Sequence, residues 1–100
     1  MLAVDGSSYN LIINNWFSGL NNGGIYLYRN CGEGGTVRHA TPSYNQIINN
    51  VFYYDEYIGF NPSVFIGSRN GNRSYCGDDG GYPFGSNSSD LDYARYNVVM

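Results

Sequence analysis

The feature that most constrains this chain is a ten-residue phrase written twice. SYNLIINNWF at residues 8–17 returns thirty-five positions later as SYNQIINNVF at 43–52, with eight of ten positions unchanged. It begins a third time as YNVVM at 96–100. Self-similarity at a spacing of a few tens of residues marks an architecture in which each repeat stacks on the last, because no single repeat can bury its apolar face alone. Within the phrase, residues 10–17 carry β-branched and aromatic side chains punctuated by Asn, with no helical period, and read as two short strands flanking a turn. A further apolar alternation follows each copy, at 24–28 and 63–67, and then a Gly-rich loop, CGEGG at 31–35 and CGDDGG at 76–81. The expected organisation is one small domain, 1–100, with repeat copies at about 8–42 and 43–93 and a truncated third at 94–100.

Composition narrows the function classes. The chain has 14 Gly, 14 Asn, 11 Tyr and 10 Ser, with five Arg and no Lys. Strong helix formers are scarce, so an all-β fold is expected. A net charge of −3 lacks the clustered cations that a phosphate backbone requires, so no nucleic-acid partner is expected. No apolar run approaches the ~20 residues of a membrane span. The opening MLAVDGSSYN has neither the basic start nor the apolar stretch of a signal peptide, so none is expected within this chain.

The residues of the phrase resemble the right-handed parallel β-helix repeat of pectate-lyase-like proteins, worded N-x-I-x-x-N-x-(I/F) and then G-(I/V)-x-L. Asn10, Ile12, Asn15, Phe17, Gly24, Ile25 and Leu27 fit it in the first copy. Asn45, Ile47, Asn50, Phe52, Val64 and Ile66 fit in the second, with Ser63 in place of the glycine, and Asn97 and Val99 fit in the third. The resemblance implies a right-handed parallel β-helix, or solenoid, of about two to three coils with long corner loops. In such a stack equivalent residues lie one strand spacing apart, ~4.8 Å, and like packs on like. The expected core columns are Ile12–Ile47–Val99, Phe17–Phe52, Ile25–Val64 and Leu27–Ile66. Asn15 over Asn50 is expected to form a structural ladder, each amide satisfying backbone groups in the turn and passing a hydrogen bond along the stack.

Cys31 and Cys76 hold the same place in their repeats, so stacking would bring them together either as a disulfide or as two reduced thiols. The longest insertion, residues 70–93, belongs at a coil corner and is a candidate binding surface. In it Asp78, Asp79, Asp90 and Asp92 are candidate calcium ligands, since calcium-bridged binding of acidic sugars is what the resemblance implies; solvated tight turns are the alternative. No other cofactor is expected.

For catalysis the weak candidates are Arg38 and His39, the one Arg–His pair in the chain; His39 also suits an ordinary turn. The Gly77-Asp78-Asp79 stretch resembles the GDD piece of polygalacturonases, but its companion motifs are absent, and the match is read as accidental. Tyrosine carries the ligand-binding expectation. Tyr26 and Tyr28 alternate with the core residues Ile25 and Leu27 and so face outward, and Tyr53, Tyr54 and Tyr57 follow the second copy. Flat aromatic faces rimmed by Asn and Asp suit sugar rings; packing beneath the loops is the other reading.

Three functions follow. The chain is a β-helix module that binds or helps process polysaccharide without being catalytic by itself, or a structural, self-assembling β-solenoid with no ligand, or a fragment of a polysaccharide lyase, uronan epimerase or glycoside hydrolase. The outward columns Ile13–Ile48–Met100 and Leu11–Val98, with uncapped strand edges, imply a homo-oligomer or continuation into a longer β-helix. The expected location is extracellular or at the cell surface.

Overall fold

Residues 1–30, 38, 40–54, 61–70 and 91–100 are described by the computed structural model, which is all-β with no helix among them. The first run of the phrase forms β2 (Leu11–Ile13) and β3 (Trp16–Phe17), followed by β4 (Ile25–Tyr28). The second run repeats that order as β5 (Gln46–Ile48), β6 (Val51–Phe52) and β7 (Val64–Ile66). Strand β1 (Leu2–Asp5) precedes them, and β8 (Arg69–Asn70), β9 (Leu91–Asp92) and β10 (Val98–Val99) complete the set.

Every strand of one run pairs in parallel with its counterpart in the next. The sheets are β1–β4–β7, β2–β5–β10 and β3–β6, and β8–β9 is a separate antiparallel pair. Ile12 lies opposite Ile47 and Ile47 opposite Val99. Phe17 faces Phe52, Ile25 faces Val64 and Leu27 faces Ile66. Val4, Ile25, Leu27 and Ile47 form the core, with Ile12, Phe17, Phe52 and Val64 packed against it. Burial follows position in the stack: Ile25, Leu27 and Ile47, on the middle strands, are almost fully buried, while Ile66 and Val99, on outer strands, are 39% and 49% exposed.

Left-handed residues flank β2 and β5 on both sides and precede β10. Tyr9, Tyr44 and Tyr96 enter the phrase at φ of 62°, 58° and 58°, and Asn14 and Asn49 leave β2 and β5 at 58° and 54°. Asn tolerates the left-handed region because its short side chain bonds locally, whereas a bulky tyrosine there is strained by about 1 kcal/mol or more. A glycine has a different task at the head of β4. A Cβ on Gly24 would collide with the carbonyl oxygen of Ser63 and come 2.7 Å from Phe52 Cε1, so the first run can lie against the second only without a side chain there.

Asparagines join the runs. Asn10 donates its N–H and its Nδ2 to Asn45 Oδ1, at 3.0 and 2.8 Å, and Asn45 donates the same two groups to Asn97 Oδ1, at 2.9 and 3.1 Å. Each lower amide is also tied to the previous run: Asn45 Nδ2 to Ser7 O and Asn97 Nδ2 to Pro42 O, in both cases three residues before the asparagine beneath. Asn15 and Asn50 repeat the scheme, with Asn15 N–H and Nδ2 on Asn50 Oδ1 and Asn50 Nδ2 on Ile12 O. Asn45 is fully buried, and these bonds satisfy both its acceptor and its donors.

Candidate functional site

The three tyrosines of the phrase stand on one another. Tyr9 and Tyr44 are stacked with ring centroids 4.9 Å apart and planes at 6°, and Tyr44 and Tyr96 at 5.0 Å and 24°. They are exposed, at 76%, 44% and 68%, and form a ridge along the outside of the stack. Left-handed φ at all three positions turns the side chains out of the strand line, and the asparagine that follows each one anchors the corner.

A cavity of about 610 Å³ opens beside this ridge, lined by Tyr9, Tyr44 and Tyr96 with Thr41, Tyr93 and Arg95. Its floor is a hydroxyl network. Ser8 donates to Thr41 O at 2.6 Å, the hydroxyls of Thr41 and Ser43 lie 2.9 Å apart, and Ser43 Oγ accepts the Arg95 N–H at 2.9 Å. Ser8, Ser43 and Arg95 occupy the same position in SYN, SYN and RYN, so the third copy sets a guanidinium where the others have a hydroxyl. That guanidinium lies over the Tyr93 ring, 4.8 Å from its centroid. Aromatic edges, phenol and aliphatic hydroxyls and a cation are the chemistry on offer, and among the described residues the lining holds no carboxylate or imidazole. Such a surface can hold a polyhydroxylated, anionic ligand by C–H packing, hydrogen bonds and one charge.

The tyrosines selected from sequence lie elsewhere. Tyr26 and Tyr28 are half-buried on the outer face of β4, where Tyr26 packs on Phe65 at 5.6 Å. Tyr53 is half-exposed and stacks on Trp16 at 6.1 Å. The Tyr54 hydroxyl lies 3.0 Å from both Asn61 O and Ser63 Oγ. None of these four lines the cavity, and Tyr57 lies outside the described residues.

Arg38 donates through Nε to Asp5 Oδ2 at 3.1 Å. Asp5 also accepts the Asn30 N–H at 2.8 Å and Asn30 Nδ2 at 2.9 Å. Partial burial pushes this carboxyl up, but the Asn30 hydrogen bonds and the Arg38 guanidinium outweigh it and hold the group below its ordinary 3.8. His39, Cys31, Cys76, Asp78, Asp79 and Asp90 lie outside the described residues. Asp92 lies on β9, opposite Arg69, where the antiparallel pair joins the two ends of the 70–93 insertion. Among the described residues no three His, Cys, Asp or Glu side chains group as a metal site.

What sequence reasoning missed is the ridge itself and the Asn10–Asn45–Asn97 ladder beside it. The signal was present: Tyr-Asn is the dipeptide that all three copies share. The chain matches no protein-family model, no curated protein and no solved structure.

Proposed function

We propose that the chain is a right-handed parallel β-helix module that binds acidic polysaccharide along the tyrosine ridge, outside the cell or at its surface, without catalysing a reaction by itself. The observation that carries this reading is the 610 Å³ cavity between the Tyr9–Tyr44–Tyr96 column and the Tyr93–Arg95 pair. Two features favour a sugar acid over a neutral or aromatic ligand. Arg95 offers a charge-assisted bond to a carboxylate, and the floor is hydroxyl-rich rather than purely apolar. The β-helix itself is supported by the parallel registers of the three sheets and by the two asparagine ladders, which repeat from run to run.

The test is titration with uronate and neutral oligosaccharides, with and without calcium, followed by calorimetry and by ultraviolet absorbance. Uronate binding without new absorbance is the expected result, weakened about tenfold or more in Arg95→Ala and in Tyr96→Ala. No binding at millimolar sugar, or binding that both substitutions leave intact, would remove the reading; absorbance from an unsaturated product would make the protein a lyase. A second reading, a structural β-solenoid with no ligand, is favoured by one observation: Tyr44 uses both ring faces on its neighbours, leaving only edges to a ligand at the centre of the ridge.

A further inference from the structure

The two ends of the stack each carry part of one further tier. Strand β1 lies on the outer edge of β4, whereas β2, in the same run as β4, has no strand on its outer edge among the described residues. At the other end β10 lies beyond β5, whereas β7, in the same run as β5, has no strand beyond it among the described residues. The first step leaves a notch of about 460 Å³ lined by Leu2, Val4, Asp5, Asn10, Leu11 and Ile12. The second leaves Phe65, Ile66, Val98 and Val99 exposed, at 46%, 39%, 41% and 49%.

We propose that these two ends bind each other, so that a second copy of this chain stacks head to tail, its β1 pairing in parallel with β7 and its β2 with β10. Three observations select this occupant. A single displacement of three tiers along the stack satisfies both sheets at once. Continuing the existing registers sets Leu2 of the second copy opposite Val64, and Leu11 and Ile12 of the second copy opposite Val98 and Val99.

The hydrogen-bond ladder supplies the second. Asn10 and Asn45 each give their N–H and an Nδ2 proton to the next asparagine, but among the described residues the Asn97 N–H has no acceptor, and Asn97 Nδ2 bonds only to Pro42 O. At the opposite end Asn10 Oδ1 accepts nothing among the described residues, although Asn45 Oδ1 and Asn97 Oδ1 each accept two bonds. Asn10 of a second copy placed over Asn97 fills both vacancies. The same placement sets its Tyr9 on Tyr96 and lengthens the ridge.

The third observation is the state of the outer edges. Leu2 and Gly6 donate their N–H groups to Gly24 O and Tyr28 O, so by alternation in a parallel strand the Ala3 N–H points away from the stack. Val98 and Met100 donate to Asn45 O and Ile47 O, so the Val99 N–H also points outward. An edge that no described residue blocks templates another strand. The contact is heterologous and leaves both outer ends unchanged, so it propagates.

Sedimentation velocity over a wide concentration range tests this on the chain as it stands. The expected mass rises with concentration from 11.1 kDa, without a fixed end point. Ala3→Pro and Val99→Pro each remove one outward N–H and block one end; each variant alone should remain a monomer, and an equal mixture should form a one-to-one dimer that does not extend. A parent chain that stays monomeric throughout, or variants that assemble as the parent does, would overturn the proposal. Hydrogen exchange of the parent needs no substitution: the Ala3 and Val99 amides should slow about tenfold or more as concentration rises, and concentration-independent exchange would equally overturn it. Assembly is read without sugar, and sugar binding is here read on Arg95 rather than on Tyr96, which belongs to the proposed joint, so the two readings fail separately.

Discussion

Each residue of Ser-Tyr-Asn has a separate physical task. The asparagine satisfies a buried corner, the tyrosine tolerates a left-handed backbone in return for a ring stack, and the serine supplies hydroxyls beneath the ridge. Asn45 is the most demanding, being fully buried with bonds to both neighbours in the ladder and to Ser7 O. Asn45→Ala should therefore cost about 3 kcal/mol, because it takes from the Asn10 N–H its acceptor and from Ser7 O its donor. The equivalent change at Asn15, whose ladder is solvated, should cost about 1 kcal/mol; urea unfolding of both variants measures the difference. At Tyr44 the usual order of substitutions should reverse. Tyr44→Ala loses two ring stacks and keeps the strain of φ 58°, whereas Tyr44→Gly loses the same stacks and releases the strain. The glycine variant should be the more stable by about 1 kcal/mol in urea unfolding, and an alanine variant that is the more stable would contradict the account of that corner.

Elements were legible in the sequence where like stacks on like. The columns through Ile12, Ile47 and Val99, through Phe17 and Phe52, and through Leu27 and Ile66 could be read because each pairs similar residues at matched places in the phrase, and the registers place them opposite one another. Strand β1 could not be found that way. LAVD has no Asn-punctuated context, and only its alternation, Leu2 and Val4 matching Ile25 and Leu27, hinted at a place on β4. The ridge is not legible for another reason: strand alternation turns Tyr26 and Tyr28 outward, but the ridge is made by corners whose left-handed φ breaks that alternation. The corner after β1 is held by Asp5, Asn30 and Arg38. Since the Asp5 carboxyl is held below 3.8, its contribution is complete above that pH and is lost as pH falls through the lower folded value. Between about pH 5 and about pH 2.5 the urea midpoint of the parent should fall more than that of Asp5→Asn, and equal losses would show that Asp5 contributes nothing.

At the scale of the whole molecule, the account is that successive runs of chain lie in parallel on one another, with apolar columns inside, asparagine ladders at the corners and the tyrosine ridge outside. The sugar reading and the head-to-tail reading both depend on this arrangement, since the ridge exists only if residues 9, 44 and 96 share a column, and the joined ends exist only if the runs share a register. The most direct measurement is the pattern of nuclear Overhauser effects from the Ile47 methyl groups. The arrangement predicts cross-peaks from Ile47 to both Ile12 and Val99, each one strand spacing of ~4.8 Å away and separated from Ile47 by 35 and 52 positions in the chain. Ile47 cross-peaks confined to its own stretch of sequence, or reaching only one of the two partners, would contradict the stack.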